Sequence, residues 1–178
     1  MRKVVAYELL SLDGVAEQPN EFITDFDDLM QGNLDGVIAT QDTVLLGRRT
    51  YDDWAEFWPT SEIEPFATFI NGVEKFVFTS TTPEEAWANS RLVEGGLADF
   101  VTNLRQQPGK DIGVHGSIAL TQSLLELGLV DELRLVIAPA LQMSGRKLFD
   151  KGLPKRLSLT SNITSPAGYL LLGFQVTG

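Results

Sequence analysis

Apolar residues fall into short runs and helical stripes separated by turn-forming residues. Lys3–Leu10 (KVVAYELL) predicts a mostly buried strand, closed by Asp13-Gly14. Asp25–Ala39 predicts a helix, with Thr24 as its N-cap and acids in its first turn. Thr43–Leu46 is a second buried strand, bounded by Gly47. A helix starting near Thr50 carries Tyr51, Trp54 and Phe57 until Pro59 breaks it, and another covers Ile63–Asn71 with Gly72 as its stop. Lys75–Thr79 predicts a strand, Pro83–Ala88 a short helical turn, Ser90–Val93 a weak strand and Ala98–Gln107 a helix ended by Pro108-Gly109. Asp111–Val114 is a strand entering Gly116, and Ser117–Leu127 is the clearest helix, with Ser117 as N-cap and Gly128 as stop. Glu132–Ile137 alternates as a strand. Arg156–Ile163 and Tyr169–Val176 form a closing antiparallel pair joined by Pro166-Ala167-Gly168.

Strands alternating with helices predict the α/β class, with a mainly parallel sheet, helices on both faces and a mixed edge from the closing hairpin. At 178 residues, with no repeat, linker or low-complexity stretch, the expectation is one domain over 1–178. Composition then removes function classes. There is no cysteine and one histidine, so thiol chemistry and multi-His or Cys-based metal sites are excluded and no metal is expected. A net charge of −10 argues against nucleic-acid or anionic-membrane partners, while leaving room for a local basic pocket. The apolar stretch after the basic amino terminus holds Glu8 and then Asp13, too short and interrupted for a signal peptide. A cytoplasmic location is the default expectation.

Four segments carry candidate chemistry, most of them at strand ends. Gly47-Arg48-Arg49-Thr50 stands where a strand hands over to a helix, whose free N–H groups attract anions, and two arginines add charge-assisted bonds to phosphate. It reads equally as a solvated Arg pair at an ordinary helix start. Ser80-Thr81-Thr82 follows a strand's carboxyl end and suits either a ribose or phosphate contact or a cap before Pro83. In His115-Gly116-Ser117, Gly116 permits close approach to a pyrophosphate or simply a tight connection, and His115 is either structural or an acid–base group titrating near neutrality. Ser11-Leu12-Asp13-Gly14 offers a carboxylate for orienting substrate or relaying a proton, or a plain turn. The acids Asp25, Asp27 and Asp28 share that ambiguity. Trp54, Phe57 and Trp58 either pack their helix onto the core or offer one ring to a planar substrate or nicotinamide.

In this order, SLDG (Ser11–Gly14), LLGRRTYDDW (Leu45–Trp54), VFTST (Val77–Thr81) and VHGSIALTQSLLELGLVDELRLVIAPALQMSGRKLF (Val114–Phe149) resemble the dihydrofolate-reductase-like superfamily. More narrowly, the chain resembles, over nearly its full length, the family named for the carboxyl-terminal reductase domain of the bifunctional riboflavin-biosynthesis deaminase/reductase. The resemblance implies a three-layer α/β/α sandwich around a mixed sheet, NADPH as hydride donor, a small-molecule substrate and a homodimer. It places Gly47, Arg48, Arg49 and Thr50 on the cofactor's phosphates and Ser80 and Thr81 near its adenosine end. Gly116, Ser117 and Ile118 would line the pyrophosphate and nicotinamide end, with Asp13 on the substrate side. Asp131 and Glu132 would serve the fold or the dimer, and Leu148 and Phe149 packing.

Two departures concern the substrate. Riboflavin reductases usually carry an acid and paired glycines where this chain has His115-Gly116-Ser117. Dihydrofolate reductases place a carboxylate on the helix before the GR-T segment, where Asp27 and Asp28 roughly lie. The expected function is an NADPH-dependent reductase of a small heterocyclic or carbonyl compound, most like 5-amino-6-(5-phosphoribosylamino)uracil reductase. The alternatives are a dihydrofolate-reductase-type activity and an NADP(H)-binding protein without turnover. Asp13 or His115, directly or through water, is the expected proton source. The strand Glu132–Ile137 with its neighbours is the expected dimer face.

Overall fold

The computed structural model describes residues 1–150, 152 and 154–177. In chain order the strands are β1 (Val4–Ser11), β2 (Gln41–Gly47), β3 (Glu74–Phe78), β4 (Ser90–Val93), β5 (Asp111–His115), β6 (Glu132–Ala138), β7 (Arg156–Thr164) and β8 (Leu170–Thr177). The helices are α1 (Asp28–Ile38), α2 (Arg48–Phe57), α3 (Phe66–Gly72), α4 (Leu97–Gln106) and α5 (Ile118–Glu126). One eight-stranded sheet runs β4-β3-β2-β5-β1-β6-β8-β7. Its first six strands are parallel, and β8 and β7 close it antiparallel.

Strand alternation sends successive side chains to opposite faces, which builds two cores and the three-layer α/β/α sandwich. Val5 and Tyr7 of β1 and Val44 and Leu46 of β2 pack with Met30 and Leu34 of α1, Tyr51 of α2 and Ile70 of α3. Val4, Ala6 and Leu10 of β1, Leu45 of β2 and Val114 of β5 pack on the other face with Val101 of α4 and Leu120 and Leu124 of α5. The alternating strands and the closing hairpin therefore lie as the sequence pattern predicts.

Three local expectations are corrected. First, α1 begins at Asp28, and its N-cap is Asp27 rather than Thr24: the Asp27 carboxylate accepts from the N–H groups of Leu29 and Met30. The N–H groups of Thr24 and Asp25 donate instead to the Tyr169 hydroxyl at 3.1 and 3.3 Å, which holds that segment out of the helix. Second, α3 begins at Phe66, not Ile63, because Pro65 supplies its N-cap position. Third, 83–88 forms no helix, since the Tyr51 hydroxyl donates to the Glu85 carbonyl and accepts from the Trp87 N–H, fixing an irregular loop. The strand β6 lies between β1 and β8, so Glu132–Ile137 with its neighbours takes in the β8–β7 end of the sheet. The free edge beside it is β7, where Leu157, Leu159 and Ile163 are exposed.

Candidate active site

The site forms where β5 stops early. His115, the last residue of β5, pairs with Tyr7, whereas β1 continues alongside β6 to Ser11. The side of β1 beyond Tyr7 is thus left open, and the chain leaves β5 through Gly116 into α5. Such a crevice outside the carboxyl ends of the strands is where open α/β sheets bind ligands. It holds a cavity of about 920 Å³, lined among others by Tyr7, Glu8, Gly47, Arg49, Trp54, Trp58, His115, Gly116 and Ser117.

Two helix amino termini converge on this cavity. Neither α2, entered from Gly47, nor α5, entered from Ser117, has a side-chain cap, so first-turn N–H groups of both remain for an anion. Ser117 occupies the N-cap position as expected, but its hydroxyl accepts the Gly47 N–H at 3.0 Å and ties the two turns together. Gly116 takes the left-handed conformation, φ +63°, that glycine favours. Gly47 needs glycine neither for conformation, at φ −81°, nor for packing, since an added Cβ would make only ordinary contacts of 3.7 Å or more. Its bare backbone faces the cavity instead. These features fit a dinucleotide's pyrophosphate.

The arginines differ. Arg48 is braced: Nε donates to both Asp52 carboxylate oxygens at 2.7 Å, and one terminal nitrogen donates to the Thr81 hydroxyl at 2.6 Å and the Thr81 carbonyl at 2.8 Å. The structure thereby joins GRRT to the loop after β3. Arg49 is largely exposed and meets Glu17 at 3.6 Å. Thr50 and Ile118 line the cavity, whereas Ser80 and Thr81 are absent from its wall, Thr81 being joined to it through Arg48.

The proposed proton sources require correction. Asp13 is not on the cavity wall. Its carboxylate accepts from the Ser11 hydroxyl at 2.7 Å and the N–H groups of Gln142 and Met143 at 3.0 and 3.1 Å, and these donors hold it down to about 2. A carboxylate so held is a turn anchor, unsuited to carry a proton at neutral pH. His115 does line the cavity, but burial pushes its imidazole down to about 3, so it stays neutral and does not titrate near pH 7. Its Nε2 lies 2.7 Å from Gln41 Oε1 and donates there, leaving Nδ1 as an acceptor. Asp27 is spent on the α1 cap and on the Ala167 N–H, and is also off the cavity wall.

The group that sequence reasoning missed is Glu8. It sits on β1 just past the end of β5, lines the cavity and is 1% exposed. The Thr121 hydroxyl donates to its Oε1 at 2.7 Å, and among the described residues no cation pairs with it. Burial raises its carboxyl to about 7 against the opposing effect of that hydrogen bond. At neutral pH the protonated acid is well populated, as a general acid requires. The available signal was one acid inside an otherwise buried strand pattern, KVVAYELL. Trp54 and Trp58 wall the cavity, while Phe57 is half exposed and packs edge-on against Trp58.

Comparison with known proteins places this geometry. The chain is 33% identical over 112 residues to the uncharacterized protein YyaP of Bacillus subtilis, a match spanning 61% of this chain and 59% of that relative. Its fold is similar to that of a Shewanella sp. PV-4 protein described as a candidate riboflavin biosynthesis protein, with a TM-score of 0.82, 17% identity and 99% of each chain covered. It is also similar to the diaminohydroxyphosphoribosylaminopyrimidine deaminase/5-amino-6-(5-phosphoribosylamino)uracil reductase of Thermotoga maritima, with a TM-score of 0.68 and 14% identity, covering 99% of this chain and 57% of that one. Residues 2–171 match the model of the RibD C-terminal domain, and the chain belongs to that reductase-domain family.

Proposed function

We propose that this chain is an NADPH-dependent reductase of a small planar compound carrying a C=N or C=O bond, with Glu8 as its proton donor. The observation that carries the reading is the convergence of two uncapped helix amino termini, tied by Gly47 and Ser117, on a cavity that also holds a buried carboxyl. NADPH, when bound, supplies a hydride.

The first-turn N–H groups of α2 and α5 hold its pyrophosphate, with Gly47 and Gly116 allowing close approach. Arg48, braced by Asp52, and the Thr79–Thr81 loop recognise the adenosine end, and Arg49 exchanges Glu17 for a phosphate oxygen. Trp54 and Trp58 exclude water from the reacting end. Glu8 gives its proton to the substrate atom that gains negative character and regains one from solvent after product leaves. Thr121 keeps the Glu8 carboxyl oriented. His115 and Gln41 position the substrate and move no proton.

Titration with NADPH and with NADH tests this reading. NADPH is expected to bind tighter, and Arg48→Ala and Arg49→Ala to weaken it; unchanged NADPH affinity in both variants overturns the assignment. Oxidation of NADPH in the presence of dihydrofolate or the ribosylaminopyrimidine then identifies turnover. The chain acts as a homodimer through the β7–β8 face, where Leu157, Leu159, Ile163 and Leu170 are exposed.

A further inference from the structure

We propose that the dinucleotide's diphosphate and the proton on Glu8 bind cooperatively, so that the cavity takes up a proton at Glu8 as it takes up NADPH. This rests on the reductase reading and adds a regulation of the same site.

One helix joins the two positions. The first turn of α5 offers N–H groups to the cavity, and Ser117 at its start holds the Gly47 N–H at 3.0 Å. Thr121 lies one turn further on, its N–H donating to the Ser117 carbonyl at 2.8 Å. From there its hydroxyl reaches Glu8 Oε1 at 2.7 Å. A rise of about 5.4 Å for the turn, with a hydrogen bond at either end, puts the carboxyl about 10 Å from an anion held by that first turn.

Little screens the two charges from each other. Glu8 is buried between β1 and α5 and borders the cavity. The strand β6 sets Leu135 in register with it, β5 has ended at the preceding pair, and among the described residues Glu8 has no ion-pair partner. The arginines of the wall are engaged elsewhere or stand on another lip: Arg48 with Asp52, Arg49 with Glu17, and Arg146 where its carbonyl accepts the Ala16 N–H. Asp53, Glu64, Tyr7 and the neutral His115 are the other titratable groups of the wall among the described residues. An ionised Glu8 therefore opposes a diphosphate, and a bound diphosphate holds the proton on Glu8. Across about 10 Å of partly hydrated space this repulsion changes affinity about fivefold. Linkage makes the effect reciprocal: NADPH binds less tightly as pH rises through the Glu8 titration near 7, and its binding moves that titration upward by the same factor. The acid is thus loaded by the event that brings the hydride source.

Fluorescence titration of the full chain with NADPH between about pH 6 and 9, for wild type and Glu8→Gln, measures the coupling. The variant keeps every other titrating group of the protein and of NADPH, including the 2'-phosphate, so the ratio of wild-type to variant Kd isolates Glu8. That ratio is expected to rise about fivefold across the range. Calorimetry at about pH 7.4 in two buffers of different ionisation heat should show wild type taking up about 0.4 proton more than the variant. Thr121→Val removes the hydrogen bond that favours the ionised carboxyl, so its own ratio to Glu8→Gln should rise with a midpoint at higher pH. A ratio that is flat or falls with pH, or a midpoint that Thr121→Val leaves in place, overturns the proposal. NADPH that binds neither protein at any pH rejects the reductase reading itself, whereas NADPH that binds both with a flat ratio rejects only the coupling.

Discussion

Glu8→Gln is the most informative perturbation, because it separates a buried acid from an ordinary polar core residue. Glutamine keeps the shape and can still accept from Thr121, while losing both charge and proton. Burial raises the native carboxyl from 4.5 to about 7. The native state therefore holds more protons than the unfolded chain between those values, and wild-type stability falls as pH rises through that window. At 1.36 kcal/mol per pH unit, ionising Glu8 costs the native state about 3 kcal/mol, fully expressed above pH 7 and absent below the unfolded value. Urea unfolding of wild type and variant at several pH values between about 4 and 8 measures this. The variant should gain on wild type by up to about 3 kcal/mol across the range, with the His115 contribution cancelling in the comparison. Turnover of the variant should drop about 10²–10⁴-fold and lose the alkaline fall centred near 7 that the wild type shows. A stability difference flat with pH refutes the buried-acid reasoning, and near-native turnover refutes the catalytic role.

The other predictions bear on the remaining assignments. Arg48→Ala should weaken NADPH by about 1.5–3 kcal/mol, roughly ten- to a hundredfold in Kd by fluorescence titration, and Thr81→Val should add little once Arg48 is gone, because the two act as one unit. Asp13→Asn should lower Tm yet leave kcat near wild type. The stability Asp13 contributes is present above about 3.8 and is lost as pH falls toward 2, so the variant and wild type should converge in acid. His115→Gln should reduce the loss of stability on acidification from about pH 6.5 to 4, since native His115 resists protonation down to about 3; a kcat step near pH 6.5 that His115→Gln abolishes would contradict its neutral state. Leu159→Glu on β7 should shift the sedimenting species from dimer to monomer with NADPH affinity retained.

The elements and the two strand-to-helix turns at the cavity were legible because they rest on local chemistry. Alternation wrote the strands, and glycine and proline wrote most of their ends. The GRRT and VHGS segments placed Gly47 and Gly116 where two strands pass into helices. What sequence could not supply was register. Asp13 looked available because its partners, the N–H groups of Gln142 and Met143, are distant in the chain. Thr24 looked like a cap until the Tyr169 hydroxyl, 145 residues away, claimed its N–H. His115 looked titratable because nothing in HGS reveals the surrounding rings of Tyr7, Phe66 and Phe69.

Register also explains why Glu8 belongs to the cavity. Had β5 run one pair further, the segment beyond His115 would have covered the side of β1 next to Glu8, and an unpaired acid there would have been only a cost. Because β5 ends opposite Tyr7 and the chain turns away at Gly116, the carboxyl keeps the Thr121 hydroxyl on one side and the cavity on the other. Burial there is enough to keep the proton at pH 7 while the residue still borders the cavity. Extending β5 by replacing Gly116 tests that account. Gly116→Val places a β-branched residue at φ +63° and sets its Cβ 3.5 Å from the Trp54 ring, so the turn must rearrange. The variant should lose NADPH binding and the raised Glu8 titration together, the latter read as loss of the pH-dependent stability difference from its Glu8→Gln double variant. Retention of that difference without NADPH binding would separate the acid from the turn and refute the shared geometric origin.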